Sequence, residues 1–281
     1  MSEELLPTFL VIGAMKAGTT SLYEYLRAHP QVFMATPKEL HFFPESKHWH
    51  DGVAWYAEHF ASAAGTRARG EISPSYSQAD QFPGVAARVA QVLPEVKLVY
   101  LVREPVARAR SMYLHELASG RETRPIERAL AEAPLYVNSS RYAWQLDQYL
   151  EFFDRSRICV LTSESLRRDR RATLARLYRF LGVDEHEVPA TIDVERGQTQ
   201  TKRARRGVWH LLRDNRAYRT VVDHTPASLR RLGERALTKP IDVDAGALSE
   251  RQTAEWQAFF RDDVARLRAF LGPEFDGWGI A

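Results

Sequence analysis

The chain predicts an α/β fold, and three observations carry that reading. Apolar runs of strand length recur at Phe9–Ile12, Lys97–Val102 and Arg157–Thr162, and a segment with helical periodicity follows each one. The first run passes through a small-residue turn, Gly13-Ala14-Met15-Lys16-Ala17-Gly18, into Thr19, Thr20 and Ser21; beyond them Leu22, Tyr25, Leu26 and His29 fall at helical spacing. The second run ends in Arg103, and open α/β sheets bind their ligands at the C-terminal ends of strands. Strand, glycine turn, lysine and helix N-terminus together make an anion site, because free backbone N–H groups and the helix dipole both favour phosphate or sulfate. An ordinary β-α turn with a surface lysine has the same outline. Ser21 with Glu24 reads as a capping box at the start of the first helix.

Composition bounds what surrounds this stretch. A length of 281 residues holds one large α/β domain or two small ones, and a net charge of +3 does not describe a general polyanion binder. The single cysteine, Cys159, sits in an apolar run and reads as a buried, inert thiol. The N-terminal MSEELLPTF lacks the apolar core of a signal peptide, and no apolar run reaches membrane-spanning length, so the expectation is a cytoplasmic protein with no membrane partner. His41, His48, His50 and His59 have no metal-ligand spacing, and no metal is expected.

In order along the chain, Gln31–Ala35 reads as a short strand and Pro37 breaks it. Lys38-Glu39-Leu40-His41-Phe42-Phe43 follows as a loop. A carboxylate beside a lysine and two aromatics suits a tuned general base, and equally a surface glutamate paired with its neighbour. Trp55–Phe60 is helical, Gly70–Tyr76 is a strand running into a proline turn, and Val85–Val92 is a helix ended by Pro94. After Arg103-Glu104-Pro105 a helix runs through Leu117. Ser111 lies eight residues beyond Arg103, and His115 is one turn further on the same face. Residues 121–138 are irregular or partly helical, and Tyr142–Phe153 is an amphipathic helix. Leu166–Leu181 is another, with a core stripe of leucines, a solvated face of arginines and a stop at Gly182. Glu195–Gly207 is polar, basic and without period, either a surface loop or a phosphate clamp. A final amphipathic helix carries Trp256, Phe260, Val264, Leu267 and Leu271.

GAMKAGTTSL after a strand, VYLVREPVARARSMYLH after another, and KELHFF between them resemble the sulfotransferase superfamily that uses 3′-phosphoadenosine 5′-phosphosulfate (PAPS), in its heparan-sulfate sulfotransferase-like branch and bacterial relatives. YLEFF, RICVLTSESL and LYRFLGV extend the resemblance over nearly the whole chain. It implies a single α/β domain over residues 1–281, with a central parallel sheet flanked by helices, related to nucleotide kinases. It implies that Lys16, Ala17, Gly18, Thr19, Thr20 and Ser21 hold the 5′-phosphosulfate, that Arg103 and Ser111 hold the 3′-phosphate, and that a loop around Lys202 and Arg203 closes over the nucleotide. Glu39 corresponds to the catalytic carboxylate, His115 to a histidine near the acceptor, and Lys16 to the group that neutralises the leaving oxygen. The implied reaction is sulfuryl transfer from PAPS to a hydroxyl or amine, leaving 3′-phosphoadenosine 5′-phosphate (PAP), with no metal required. One departure stands out. Many relatives carry a lysine in Glu-Lys-Ser/Thr-Pro, where this chain has Glu71-Ile72-Ser73-Pro74.

Other readings are weaker. A P-loop kinase using ATP needs lysine directly after the last glycine, followed by Ser or Thr, but Lys16 precedes Gly18. A nucleotide-binding module without catalysis would not need Lys16, Glu39 and His115 together. A nucleic-acid binder would use Lys202–Arg219 with Trp209 and Tyr218, yet the chain is nearly charge-balanced. The expected acceptor is a small hydroxylated molecule or glycoside, on three grounds: no leader or membrane stem, Ile72 in place of a lysine, and eight aromatic residues between Phe33 and Tyr76. The sequence is silent on oligomeric state.

Overall fold

A computed structural model describes residues 6–187, 242 and 244–281, and the backbone of 203–205 and 238–240. Five parallel strands form the central sheet: β1 (Phe9–Gly13), β2 (Val32–Met34), β3 (Ala68–Ile72), β4 (Lys97–Val102) and β5 (Ile158–Thr162), in the order β2-β3-β1-β4-β5. Phe9, Leu10, Val11 and Ile12 are fully buried. A strand buried on both faces reads as an unbroken apolar run rather than an alternating one, which is why β1, β4 and β5 stand out in the sequence. Each such side chain contributes roughly 1.5–3 kcal/mol on burial. The registers set Val11 beside Ile72 of β3 and Val99 of β4. From β1 the chain winds first to one side of the sheet and later to the other, which opens a crevice at the C-terminal ends of β1 and β4.

The helices are α1 (Thr19–Arg27), α2 (Gly52–Glu58), α3 (Val85–Val92), α4 (Pro105–Ser119), α5 (Ile126–Glu132), α6 (Pro134–Asn138), α7 (Tyr142–Leu150), α8 (Ser163–Arg168), α9 (Arg170–Leu181) and α10 (Glu250–Leu271). Most match the expected segments, with two corrections. First, α1 begins at Thr19 after Gly18, and no side chain caps it, so the capping box at Ser21 and Glu24 does not form. Gly18 takes φ 104°, a conformation open to glycine, and the turn therefore enters the helix before Ser21. Second, the single helix expected over Leu166–Leu181 is two. The Asp169 carboxylate accepts the Ala172 N–H at 3.0 Å and starts α9 afresh. Residues 121–138 are partly helical, as one of the two expectations had it, with two short helices, α5 and α6.

Two ties brace the region behind the crevice. The buried Asp263 of α10 accepts the backbone N–H groups of Ala143 and Trp144, both at 3.0 Å, and so caps α7 from a distant part of the chain. Glu164 of α8 accepts from Glu104 N at 3.1 Å and from Trp278 Nε1 at 3.0 Å, which joins the C-terminal residues to the end of β4. Two further strands, β6 (Arg203–Arg205) and β7 (Thr238–Pro240), pair antiparallel, and β6 runs beside α4. Cys159 is buried as expected, and burial pushes its thiol up to about 11.

Candidate active site

A cleft of about 1300 Å³ lies at the C-terminal edge of the sheet, and its wall includes Lys16 through Ser21, Glu39, Arg103, Ser111 and His115. Several pieces of chain far apart in sequence meet there. The turn after β1 supplies Lys16, which has φ 72°, and the uncapped first turn of α1 supplies Thr19, Thr20 and Ser21. Side chains from elsewhere hold this turn. Ser163, just past β5, donates to the Ala17 carbonyl. Ala14 N donates to Leu101 O at 2.5 Å. The fully buried Arg108 of α4 reaches the Met15 carbonyl at 3.5 Å while its other groups bond Ser140 and the Tyr136 carbonyl.

Arg103 follows directly from β4. Its Nη1 lies 3.5 Å from the Lys16 carbonyl, so the ends of β1 and β4 share one wall. Burial, and then the neighbouring Arg167, lowers Arg103 from its ordinary guanidinium value, which marks a partly desolvated cation beside another. Glu104 accepts from Val106 N at 3.1 Å and Ala107 N at 2.5 Å and caps α4. That cap aims the Ser111 and His115 face of α4 along the cleft, as their i, i+4 spacing requires.

Glu39 reaches the cleft from the loop after β2. Its φ is 66° and that of His41 is 51°, backbone conformations that cost a non-glycine residue on the order of 1–3 kcal/mol each. Lys38 pairs with Glu39 Oε1, and His41 Nε2 lies 3.6 Å from Oε2. Burial raises the Glu39 carboxyl, but hydrogen bonds from His41 and Lys38 and their charges outweigh it and bring the group to about 2. The surface ion pair and the candidate base read from the sequence are thus one arrangement: Glu39 is paired with Lys38 and also lines the cleft. His41 Nδ1 lies 2.7 Å from Ser75 Oγ, and both residues line the cleft.

Other expected residues are placed differently. Ile72 is fully buried in the core, on the β1 side of β3, and is not part of the cleft wall. The eight aromatics from Phe33 to Tyr76 also stay out of that wall. Phe42 stacks on Tyr56 with ring centroids 4.3 Å apart, and Phe43 packs edge-on to Tyr76 at 5.3 Å. Phe42, Phe43, Tyr56, Phe60 and Tyr76 are buried in the core, with Phe33, Trp49 and Trp55 packed against it. Among the described residues, the aromatic side chains in the wall are Tyr25 and Phe82. Lys202 and most of the basic stretch to Arg219 lie outside the described residues, and Arg203 is described in backbone alone, as the first residue of β6.

Sequence reasoning missed Ser163, Arg167 and Arg170, all in the cleft wall. Arg167 and Arg170 were both expected on a solvated helix face; Arg167 is indeed exposed, while Arg170 is half-buried and lies over the Tyr25 ring, 5.3 Å from its centroid. The signal was available. They follow the C-terminal end of β5, the same kind of position that singled out Arg103. Lys47, Gln78, Glu116 and Arg121 complete the opposite rim, where Arg121 donates to both Glu116 oxygens at 2.5 and 2.9 Å.

This arrangement gathers cations, helix-terminal amides and a paired carboxylate in the wall of one cleft. Among the described residues, no helix is long and apolar enough to cross a membrane. The chain is 34% identical over 188 residues to mouse (Mus musculus) heparan sulfate glucosamine 3-O-sulfotransferase 3B1, covering 63% of this chain and 46% of that protein. It is 28% identical over 204 residues to mouse bifunctional heparan sulfate N-deacetylase/N-sulfotransferase 4, covering 64% of this chain and 23% of that protein. The chain therefore spans under half the length of these curated relatives. A solved sulfotransferase from Alicyclobacillus acidocaldarius superposes with a TM-score of 0.69 at 26% identity, covering 97% of this chain and 98% of the other. The sulfotransferase domain profile matches residues 6–214, and the chain belongs to the sulfotransferase family.

Proposed function

We propose that the chain transfers a sulfuryl group from PAPS to a hydroxyl or amine of a carbohydrate or small-molecule acceptor. The observation that carries the reading is the single cleft that gathers Lys16 to Ser21, Arg103, Ser111, Glu39 and His115 from distant parts of the chain. The donor set fits a nucleotide with anionic groups at both ends. The uncapped N-terminus of α1 and Lys16 suit a sulfated 5′-phosphate, while Arg103 and Ser111, carried by the β4–α4 segment, suit a 3′-phosphate. When bound, PAPS supplies the activated sulfuryl group; the rest is positioning and charge, as in phosphoryl transfer.

Glu39 accepts the proton of the acceptor hydroxyl or amine. Held near 2 by Lys38 and His41, it is ionised at neutral pH and ready to accept, with modest basicity. Lys16 lies on the donor side and neutralises charge on the leaving oxygen. His115, on the same wall of α4 as Ser111, orients the acceptor. Lys202 and Arg203 belong to the segment that would close over the nucleotide. The whole chain acting as one domain over residues 1–281 belongs to the same reading.

The test is transfer of ³⁵S from labelled PAPS to a panel of neutral glycosides, phenols and heparan-type oligosaccharides, run beside ATP with magnesium as a phosphoryl donor. Transfer from PAPS to at least one acceptor class is the expected result. Phosphoryl transfer from ATP with none from PAPS overturns the reading in favour of a kinase.

A further inference from the structure

We infer that Glu71, a side chain outside the cleft, is a positioning residue that holds Glu39 in place through two hydroxyl relays. The inference rests on the reading of Glu39 as the base. Glu71 is 1% exposed on β3, and three hydroxyls donate to it. Tyr56 and Tyr76 donate to Oε1 at 2.8 and 2.6 Å, and Ser73 donates to Oε2 at 2.8 Å. Two of these hydroxyls also accept from the turn that follows Glu39. Ser73 Oγ accepts the His41 N–H at 3.0 Å, and the Tyr76 hydroxyl accepts the Phe42 N–H at 3.0 Å.

The chemistry of the carboxylate gives these relays a direction. Burial raises the Glu71 carboxyl from its ordinary value, while the hydrogen bonds from Tyr76, Ser73 and Tyr56 favour its ionised form, which accepts and never donates. It draws the Ser73 and Tyr76 protons toward itself, so their lone pairs are left for the two backbone amides. Each carboxylate oxygen serves one relay, and the two amides are consecutive. The turn is thereby gripped at two adjacent points just beyond Glu39. That matters because Glu39 and His41 both have positive φ, which ordinary residues hold only where the surroundings impose it. The anchor is itself fixed to the donor side: the Ser73 N–H donates to Val11 O at 3.1 Å, and Val11 belongs to β1, the strand that leads into the Lys16 turn. Base and donor loop are therefore referenced to the same pair of strands.

Tyr56 supplies a built-in comparison. It donates to Glu71 as Tyr76 does, yet among the described contacts its hydroxyl has no link to the turn backbone. Removing either phenol hydroxyl strips one donor from Glu71, but only the Tyr76 change releases Phe42.

The experiment measures turnover with ³⁵S-labelled PAPS and the best acceptor from the panel above, PAP affinity by calorimetry, and melting temperature, for Glu71→Gln, Ser73→Ala, Tyr76→Phe, Tyr56→Phe, Glu39→Gln and Glu39→Gln/Glu71→Gln. A displacement near 1 Å at a reacting group costs on the order of 10²-fold, so Glu71→Gln should lower kcat about tenfold or more, with PAP affinity within about twofold of the parent. Tyr76→Phe and Ser73→Ala should each lower kcat about threefold or more on the same argument, while Tyr56→Phe keeps kcat within about twofold. Because Glu71 acts through Glu39, the double variant should be no slower than Glu39→Gln alone within about twofold. If Glu71→Gln fails to fold, the Ser73, Tyr76 and Tyr56 variants carry the test. Near-parental kcat in Glu71→Gln or in both relay variants, with Glu39→Gln inactive, overturns the positioning role and leaves the base assignment standing. Parallel loss of kcat and PAP affinity, or losses that multiply in the double variant, also overturns it, since both mark a merely structural effect. Full turnover in Glu39→Gln overturns the base assignment, and the inference falls with it.

Discussion

On the Lys16 and Arg103 side, the cleft wall comes from stretches that leave the sheet at the C-terminal ends of β1 and β4 and run straight into helices. Thr19, Thr20 and Ser21 offer helix-terminal amides, Lys16 adds its charge from the turn before them, and Arg103 sits one residue past its strand. Local chain geometry sets out these groups, and Ser163, Leu101 and Arg108 tie the turn from elsewhere. The Glu39 end is assembled differently. Its loop belongs to no strand or helix, two of its residues have positive φ, and it is held by hydroxyls contributed from Ser73, Ser75 and Tyr76. A strand, turn and helix start can thus be written into a dozen consecutive residues. A carboxylate kept in an unfavourable backbone conformation needs a surrounding structure to impose it.

This contrast predicts that damage at the two ends separates. The largest effect is expected for Lys16→Ala, which removes charge stabilisation at the reacting group. Turnover should fall on the order of 10²–10³-fold, with PAP binding weakened as well. Steady-state rates with calorimetry measure both, and a variant that loses binding alone would move Lys16 from chemistry to simple anchoring. Glu39→Gln should lower turnover by about 10²-fold or more and leave PAP affinity nearly unchanged. If that variant turns over normally, the two ends are not divided as described, and His115 becomes the next base to test.

A smaller effect sharpens the donor side alone. Under the proposed reading PAP would use both anion sites and AMP only one; each charge-assisted contact contributes about 1.5–3 kcal/mol, so PAP should bind at least about tenfold tighter than AMP, with or without EDTA. Arg103→Ala should bring the two affinities together. Equal affinities in the parent protein would show that Arg103 and Ser111 do not hold a phosphate.

The smallest effect concerns the Glu39 side alone. Its carboxyl is held at about 2, below its ordinary 4.5, partly by Lys38. A depressed folded value means that the contribution to stability is fully present above the ordinary value and is lost as the pH falls from there through about 2. Lys38→Met should raise the titration midpoint of Glu39, followed by ¹³C NMR of the side-chain carboxyl, and shrink the stability lost over that acid range. An unmoved midpoint would assign the depression to His41.

What the sequence determined by itself follows from two local rules. Strands buried on both faces are uninterrupted apolar runs, and ligand-binding side chains cluster just beyond such runs. Those rules were enough for β1, β4, β5, the Lys16 turn, Arg103 and the Ser111–His115 face. The same rule applied to β5 also points to Ser163, Arg167 and Arg170, which the helical pattern of arginines had concealed. Tertiary structure alone decided the strand order, the burial of Ile72 and the aromatic run in the core, the capping of α7 by Asp263, and the grip on Glu39. Each of these depends on partners far apart in the chain. His41 and Ser73 are 32 residues apart, and Ala143 and Asp263 are 120 apart. A hydrogen bond across such a separation leaves no periodicity in either segment. Ser73, Tyr76 and Asp263 look like ordinary polar residues until the sheet and helices set them opposite the amides they serve.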